Sequence, residues 1–376
     1  MDYAWIDTAD SFGKMLGQVD GTKRLALDIE ADSLYHYVEK VCLIQLSTDR
    51  ETFIVDPLAI KDISRLAPIL ADRTVEKVLH AASYDVSSLR RDYGFAFCNI
   101  FDTHIAAQLL GYQQLGLDTL LESLLGISHS KRRQRDDWSR RPLDQEQLEY
   151  AAMDTHHLLQ LRDRLARQLR AEGRMAWAEE EFRHAATAVL QQREFDREGY
   201  LRIRGSRELK PRERSILRAL YLLRDHYARV MDLPPFKVVD NSVLIDLARR
   251  PPASPAELFK RRGVSFRVAR NFAGEIYRTI AKARFEKPAS RSRTAPVASR
   301  PFSREARARL EKLKHWRQAA AGELRLPVGV VFPGNMLETL AQSPPADQPA
   351  LEAYPGMRRW RALEFGAPIL EILHSD

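Results

Sequence analysis

Cysteine is scarce in this 376-residue chain: there are two, Cys42 and Cys98, each inside an apolar stretch. That excludes a disulfide framework and a cysteine-based zinc site, and a reducing, cytoplasmic setting is expected. Long hydrophobic runs are also missing. No stretch approaches the roughly 18–20 apolar residues that a membrane helix needs. The first residues, MDYAWIDTADSF, carry early acids and no positive-then-apolar leader, so no secretory signal is expected. No G-x-x-x-x-G-K-[ST] loop occurs, which argues against ATP-driven chemistry. With 29% charged residues and a mean hydropathy of −0.39, the composition is that of a soluble globular protein. The length suggests two or three domains.

Charge is unevenly placed. Residues 1–200 hold 25 Lys and Arg against 33 Asp and Glu; residues 201–376 hold 34 against 18. A net of −8 is thus joined to a net of +16. The basic half is expected to attract a polyanion, most plausibly nucleic acid.

The first half alternates strand and helix patterns. Residues 24–30 (RLALDIE), 41–47 (VCLIQLS), 52–55 and 77–80 read as strands, and 86–93 and 103–110 as helices. A long helix begins near Asp144, where Gln147 completes a capping box, and Gly173 is a plausible stop. The pattern predicts an α/β domain with a mixed β-sheet. The second half reads as helical, interrupted by residues 285–302, a Pro-, Ser-, Ala- and Arg-rich segment expected to be a flexible basic linker. Shifting the chain by 93 residues aligns the segments flanking this linker without a gap. Arg224 falls on Arg317, Pro234 on Pro327, Gly263 on Gly356 and Phe272 on Phe365. Amphipathic helices match by chance at a few leucines, not at prolines, a glycine and an arginine in register. A small helical domain is duplicated, and the two copies are expected to be independent of each other.

Four acids and a tyrosine stand out in the acidic half. Asp28 and Glu30 lie two apart on a strand, so both carboxylates share a face while Ile29 turns to the core. Their repulsion at the end of an apolar strand is a cost that a cation would relieve. Asp85 sits where a strand gives way to a helix. Tyr150 and Asp154, four apart, share one helix flank. Taken singly each has a plainer explanation: an edge charge, a helix N-cap for Asp85, surface or packing positions for Tyr150 and Asp154. His156 and His157 are adjacent and diverge on a helix, which disfavours a histidine metal pair. As an ordered set the oxygen ligands suit hard cations such as Mg²⁺ or Mn²⁺. Two such ions about 4 Å apart activate a water and stabilise the leaving oxygen of a phosphodiester. A phenol, with a pKa near 10, suits orientation of that water better than proton abstraction.

In this order the residues resemble the DEDD superfamily of 3′–5′ exonucleases, its tyrosine-bearing subgroup, and more closely the ribonuclease D family. The matching stretches are LDIEADSLYHYVEKVCLIQLST, HAASYDVSSLRRDYG with FDTHIAAQLLGY, and LEYAAMDTHHLL. KRRQRDDWSRRPL resembles the basic loop that precedes the third motif, and the repeats resemble HRDC domains. Ile29 stands where many relatives have threonine, and Asp136 where serine is frequent. The resemblance implies a ribonuclease H-like exonuclease domain over residues 1–172, a connecting helical segment over 173–207, and two small all-α HRDC domains at 208–284 and 303–376. It implies Asp28, Glu30, Asp85 and Asp154 as ligands of two divalent cations, Tyr150 as the residue that positions the water, and Asp102 in support. It also implies Lys131, Arg132 and Trp138 as substrate contacts. The activity so implied is exoribonuclease action on RNA with a single-stranded 3′ end, such as tRNA precursors, releasing 5′-monophosphates without ATP or a membrane. A DNA exonuclease of the same fold and a non-catalytic nucleic-acid scaffold are the competing readings.

Overall fold

The computed structural model describes residues 2–189, 195–261, 263–264, 266–285 and 302–375, and the chain divides into two compact units. The first unit comprises Met1–Ala31, Val41–Leu190 and Ser299–Asp376; the second comprises Asp32–Lys40 and Gln191–Ala298. Residues 286–301, nearly all of the expected linker, lie outside the described residues.

A six-stranded sheet organises the first unit. Its strands are β1 (Ala4–Ile6), β2 (Arg24–Ala31), β3 (Val41–Ser47), β4 (Thr52–Val55), β5 (Glu76–Leu79) and β6 (Ile100–Asp102), in the order β1-β4-β3-β2-β5-β6. The pairs β2–β3 and β3–β4 are antiparallel, and β1–β4, β2–β5 and β5–β6 are parallel. This is the expected mixed sheet. Every residue of β3 is buried, as befits a central strand covered on both faces. The sequence pattern left β1 unassigned because three residues are too few to show a period. It also passed over the helix α1 (Ala9–Val19), although Thr8 caps it and Phe12, Met15, Leu16 and Val19 bury one face.

Helices α2 (Ala67–Ala71), α3 (Ser83–Tyr93), α4 (Thr103–Leu109) and α5 (Leu117–Leu125) follow. The long helix expected from Asp144 is two helices, α6 (Gln145–His156) and α7 (Leu158–Ala171), broken at His157 with φ −103° and ψ 4°. The break redirects the chain: α6 packs on β2, β3 and β4, whereas α7 shares β2 with it but otherwise packs on β5, α4, α5 and α8 (Met175–Ala186). The Asp144–Gln147 capping box forms as expected, and Gly173 ends the second helix at φ 68°, where only glycine is unstrained.

The repeat is structural as well as sequential. Copy one contains α9 (Pro211–Val230), α10 (Pro235–Val238), α11 (Asn241–Arg249) and α12 (Phe266–Phe285). Copy two contains α13 (Arg304–Leu324), α14 (Val328–Val331), α15 (Gly334–Gln342), α16 (Gln348–Glu352) and α17 (Arg359–His374). The starts of α9, α10, α11 and α12 each map by 93 residues onto those of α13, α14, α15 and α17. The matched arginines do the same work: Arg224 Nη1 donates to the Val239 carbonyl and Arg317 Nη1 to the Phe332 carbonyl, both at 3.0 Å. Gly263 and Gly356 both take positive φ, 86° and 79°.

Copy two belongs to the first unit and copy one to the second, and copy two is packed on the exonuclease domain. Its apolar core is continuous with that of α4, α5, α7 and α8. Two adjacent glutamates of α8 hold it. Glu180 accepts the Arg359 and Trp360 backbone N–H groups at 2.6 and 2.9 Å, at the start of α17. Glu181 accepts Trp360 Nε1 at 3.0 Å, Arg361 Nη1 at 2.8 Å and Arg358 Nε at 2.9 Å. Trp177 stacks on Trp360 with centroids 4.6 Å apart. Residues 358–361 of copy two correspond to Ser265, Phe266, Arg267 and Val268 of copy one, so only copy two carries the docking set. In the second unit, copy one is joined by Asp32–Lys40: His36 Nδ1 meets Asp232 Oδ2 at 2.6 Å and the Tyr37 hydroxyl donates to Asp225 at 2.7 Å.

Burial alone would raise the Glu181 carboxyl, but the Arg361 guanidinium, with Trp360 and Arg358, holds it below the ordinary glutamate range. A depressed carboxyl contributes stability above its unfolded pKa that is lost as pH falls through the folded one. Glu181→Gln is expected to cost about 2–4 kcal/mol at neutral pH, since it strands a buried Arg361. Urea unfolding should show that loss shrinking below about pH 4; a midpoint unchanged at pH 7 would contradict the docking role.

Candidate active site

The constellation is assembled from three elements. On β2, Asp28 and Glu30 project to one face, with Ile29 buried on the other. Asp28 pairs across the ladder with Gln45 and Glu30 with Leu43; the register then slips between Glu30 and Ala31, ending regular pairing beside the two acids. Helix α6 crosses this sheet closely because Ala151 and Ala152 are fully buried small residues. A chain of hydrogen bonds fixes its height: Ser47 to Thr155 at 2.7 Å, Ser47 to Thr52 at 3.0 Å, and Thr52 to His156 at 2.9 Å. Asp154 is thereby delivered to the β2 acids. Oxygens of Asp28, Glu30 and Asp154 all lie within 4.8 Å of one another.

Asp85 arrives on α3. It is not that helix's cap, because the cap position is Ala82 and Asp85 is the third helical residue. Asp102 performs the capping. Its carboxylate accepts the N–H groups of Ala81 and Ala82 at 3.1 and 2.8 Å, and those of His104 and Ile105 at 2.9 and 3.2 Å. It pins the start of α3 and the start of α4 together, a supporting place in keeping with the expectation. Asp85 meets the Asp28 carboxyl directly.

The electrostatics are hostile to four bare charges. Burial pushes Asp28 well above the usual carboxylate range, and Asp85, Asp154 and Glu30 push it further. Glu30 is raised by burial and then by Asp154 and Asp85. Asp85 is raised by burial, Asp102 and Asp154, and Asp154 by burial. Burial and the Asp154, Glu30 and Asp28 carboxylates also raise the Tyr150 phenol, which hydrogen-bonds Asp154. It therefore stays protonated and acts as a donor, suited to orienting a water and unsuited to removing its proton.

These groups fit divalent cations. Asp85 Oδ2 is a buried acceptor with no donor, and both amide atoms of Gln45, opposite Asp28, are buried without partners. All-oxygen, mutually repelling carboxylates form the donor set of Mg²⁺ or Mn²⁺. Asp28, Glu30, Asp85 and Asp154 can hold such ions.

His129 escaped the sequence reading. Its Nε2 lies 2.8 Å from Asp154 Oδ1, and its ring stacks on Tyr150 with centroids 5.3 Å apart. A single histidine in a loop carries no spacing signal. The basic loop needs correction. Trp138 is 1% exposed, packed against Cys42, Leu43, Ile54, Ala151 and Ala152, and offers no face to a substrate. Arg141 is engaged by Asp56 and by the Cys42 and Trp138 carbonyls, and Arg133 by Asp136, Asp144 and Glu146. Lys131 is half-exposed and ion-paired with Asp118 at 2.6 Å; Arg132 is exposed. His156 and His157 do not diverge as expected: at the break between α6 and α7 their rings meet in a T-shaped contact with centroids 4.6 Å apart.

A mixed sheet carrying four converging acids and a tyrosine, followed by duplicated helical modules, defines a 3′–5′ exonuclease with two HRDC domains. Residues 3–170 match the family model for the 3′–5′ exonuclease, and residues 213–280 and 306–373 each match that for the HRDC domain. Ribonuclease D of Granulibacter bethesdensis is 30% identical over 353 residues, covering 90% of this chain and 85% of the relative. The chain belongs to the ribonuclease D family. The crystal structure of Escherichia coli RNase D, described as an exoribonuclease involved in structured RNA processing, superimposes with a TM-score of 0.67 at 25% identity, covering 99% of both chains. Exosome complex component 10 of Rattus norvegicus is 30% identical over 300 residues, 77% of this chain; the chain spans about a third (34%) of that relative's length.

The raised carboxyls make a prediction about stability. Between the unfolded and folded pKa values the folded state holds protons that the unfolded chain releases, so stability falls as pH climbs through that window. In chelator, Asp28→Asn is expected to be more stable than the parent by about 1–2 kcal/mol at pH 8, with a smaller gap at pH 5. Saturating Mg²⁺ should raise the parent's thermal midpoint more than the variant's. An equal response to Mg²⁺ would count against the ligand assignment. His129→Ala is expected to lower kcat by about 10–100-fold, as loss of a ligand's hydrogen-bond partner does, with KM for RNA little changed. A rise in KM alone would show that His129 touches substrate instead.

Proposed function

We propose that this protein is a metal-dependent 3′–5′ exoribonuclease that shortens RNA from its single-stranded 3′ end and releases nucleoside 5′-monophosphates. The observation that carries this is the convergence of Asp28, Glu30 and Asp154 oxygens within 4.8 Å, with Asp85 against Asp28 and Tyr150 on Asp154. Carboxylates buried together in this way oppose folding and serve no packing purpose, which argues against a non-catalytic scaffold.

Asp28, Glu30, Asp85 and Asp154 would hold two divalent cations, Mg²⁺ or Mn²⁺, whose chemistry is to activate water and to neutralise charge on a scissile phosphate. Asp28, clustered with Glu30 and Asp154 and touching Asp85, is the residue we assign to both ions. Tyr150, kept protonated, would orient the attacking water once its single O–H is released from Asp154. His129 holds Asp154 and the Tyr150 ring in place. Asp102 fixes the turn from which Asp85 projects. Lys131 and Arg132, on the rim, are the loop residues available to phosphate, Lys131 after release from Asp118. The basic second half supplies a salt-dependent hold on the polyanion. Tight packing around the acids favours an unpaired end over a duplex, and 3′ trimming of tRNA precursors in the cytoplasm fits that preference. Domain limits of 1–172, 208–284 and 303–376 are part of this reading.

Digestion of a 3′-end-labelled RNA in Mg²⁺ tests it. The expected first product is a labelled mononucleotide carrying a 5′-phosphate, abolished by chelator, with a matched DNA strand cut more slowly. Asp28→Asn and Asp154→Asn are expected to lose at least about 10³-fold in rate, as loss of a group acting only in the transition state does, while still binding RNA in Ca²⁺. Internal cleavage products, or full turnover by Asp28→Asn, would refute the assignment; faster DNA cleavage would make the protein a DNA exonuclease.

A further inference from the structure

The two HRDC copies share a fold but not a surface. Residues 208–284 hold 17 Lys and Arg against 8 Asp and Glu, whereas residues 303–376 hold 10 against 9. Part of copy one's excess lines an open groove of about 1010 Å³ formed by the start of α9 and the ends of α11 and α12. Lys210, Arg212, Arg249 and Arg284 line it, and all four are exposed. Arg249 is ion-paired with Glu208 at 2.6 Å, while the groove's own acid, Glu213, turns to cap the Lys210 N–H at 2.8 Å. Phe285, 91% exposed, presents an aromatic ring at one end.

Copy two lacks the corresponding cations by substitution. The positions aligned with Lys210, Arg212 and Arg249 are Ser303, Glu305 and Gln342. Its distinctive basic residues, Arg358 and Arg361, are instead held by Glu181. After duplication one copy has become a buttress of the exonuclease domain and the other has kept exposed cations around a groove.

We propose that the groove of copy one binds the phosphodiester backbone of single-stranded RNA, and that copy two contributes no such hold. The chemistry is that of a polyanion site: a row of exposed cations unburdened by buried partners, with an exposed ring on which a base can stack. The groove is open, sits at the upper end of the roughly 300–1,000 Å³ of small-molecule pockets, and sets its cations beside apolar walls from Pro211, Ile216, Pro251 and Phe285, which suits the backbone and bases of an extended strand. This inference rests on the exoribonuclease reading for the identity of the polyanion.

The test uses the full chain, a fluorescein-labelled single-stranded RNA and Ca²⁺, with anisotropy read from 50 to 300 mM salt. Arg212→Gln with Arg284→Gln is compared with Arg304→Gln plus Arg307→Gln, which removes the same charge from exposed positions of copy two. The groove variant is expected to bind about tenfold more weakly at 50 mM salt. The slope of log affinity against log salt should fall by about 1.4, or 0.7 for each phosphate no longer neutralised. The copy-two variant should stay within about twofold of the parent, with its slope unchanged. Equal losses in both variants would reduce the effect to net charge, and an unaffected groove variant would remove the site; either overturns the proposal. Circular dichroism melts of both variants exclude misfolding as the cause. Mg²⁺-dependent hydrolysis by the parent is scored separately. Hydrolysis with an unaffected groove variant refutes only the groove, and RNA binding through the groove without hydrolysis refutes only the exonuclease.

Discussion

Everything about the first unit turns on the mutual repulsion of four carboxylates gathered in one buried place. No hydrophobic core would assemble Asp28, Glu30, Asp85 and Asp154 unaided. Burial and like charge both raise their pKa values, so bringing them together opposes folding at neutral pH. The surrounding structure reads as the means of enforcing that arrangement. The β2–β3 ladder sets two acids on one face, the serine–threonine–histidine chain fixes α6 against β3 and β4, and Asp102 anchors the turn that presents Asp85. The residues that look least catalytic, Ala151, Ala152 and Thr155, set how far Asp154 reaches.

A second enforcement lies in the docked helical copy. Its core merges with α4, α5, α7 and α8, and Glu180 and Glu181 grip the start of α17 through backbone and side-chain donors at once. The same helices cover the sheet face that holds Ala26, Val78 and Phe101, the face from which Asp28 and Glu30 project. Duplication gave this chain two modules of one fold, and divergence at a handful of surface positions gave them different neighbours. Fold conservation and surface divergence are separable because the helix-packing residues, such as Arg224 and Arg317, point inward, while residues 358–361 and their counterparts lie at the start of the last helix.

Much of this was readable from the chain. Strand period placed β2 to β5, the capping box placed the start of α6, and the prolines and glycine fixed the repeat in register. The acids could be ranked only as an ordered set, because any one of them has an innocent use. Short elements failed first: β1 has three residues and cannot show a period. The break at His157 also escaped, because Leu158 and Leu159 continue the helical spacing across it, although beyond β2 the two halves pack on different elements.

The local code, then, determined what each segment would be and which side chains carried costly charge, since periodicity and capping depend on neighbours within a few residues. Pairings across long separations were left to the tertiary structure. It took Trp138 out of reach and into the core, brought His129 from an unpatterned loop to Asp154, and joined copy two to α8 through a glutamate 180 residues away from Arg361. Such pairings depend on how finished elements pack, and no spacing along the chain encodes them.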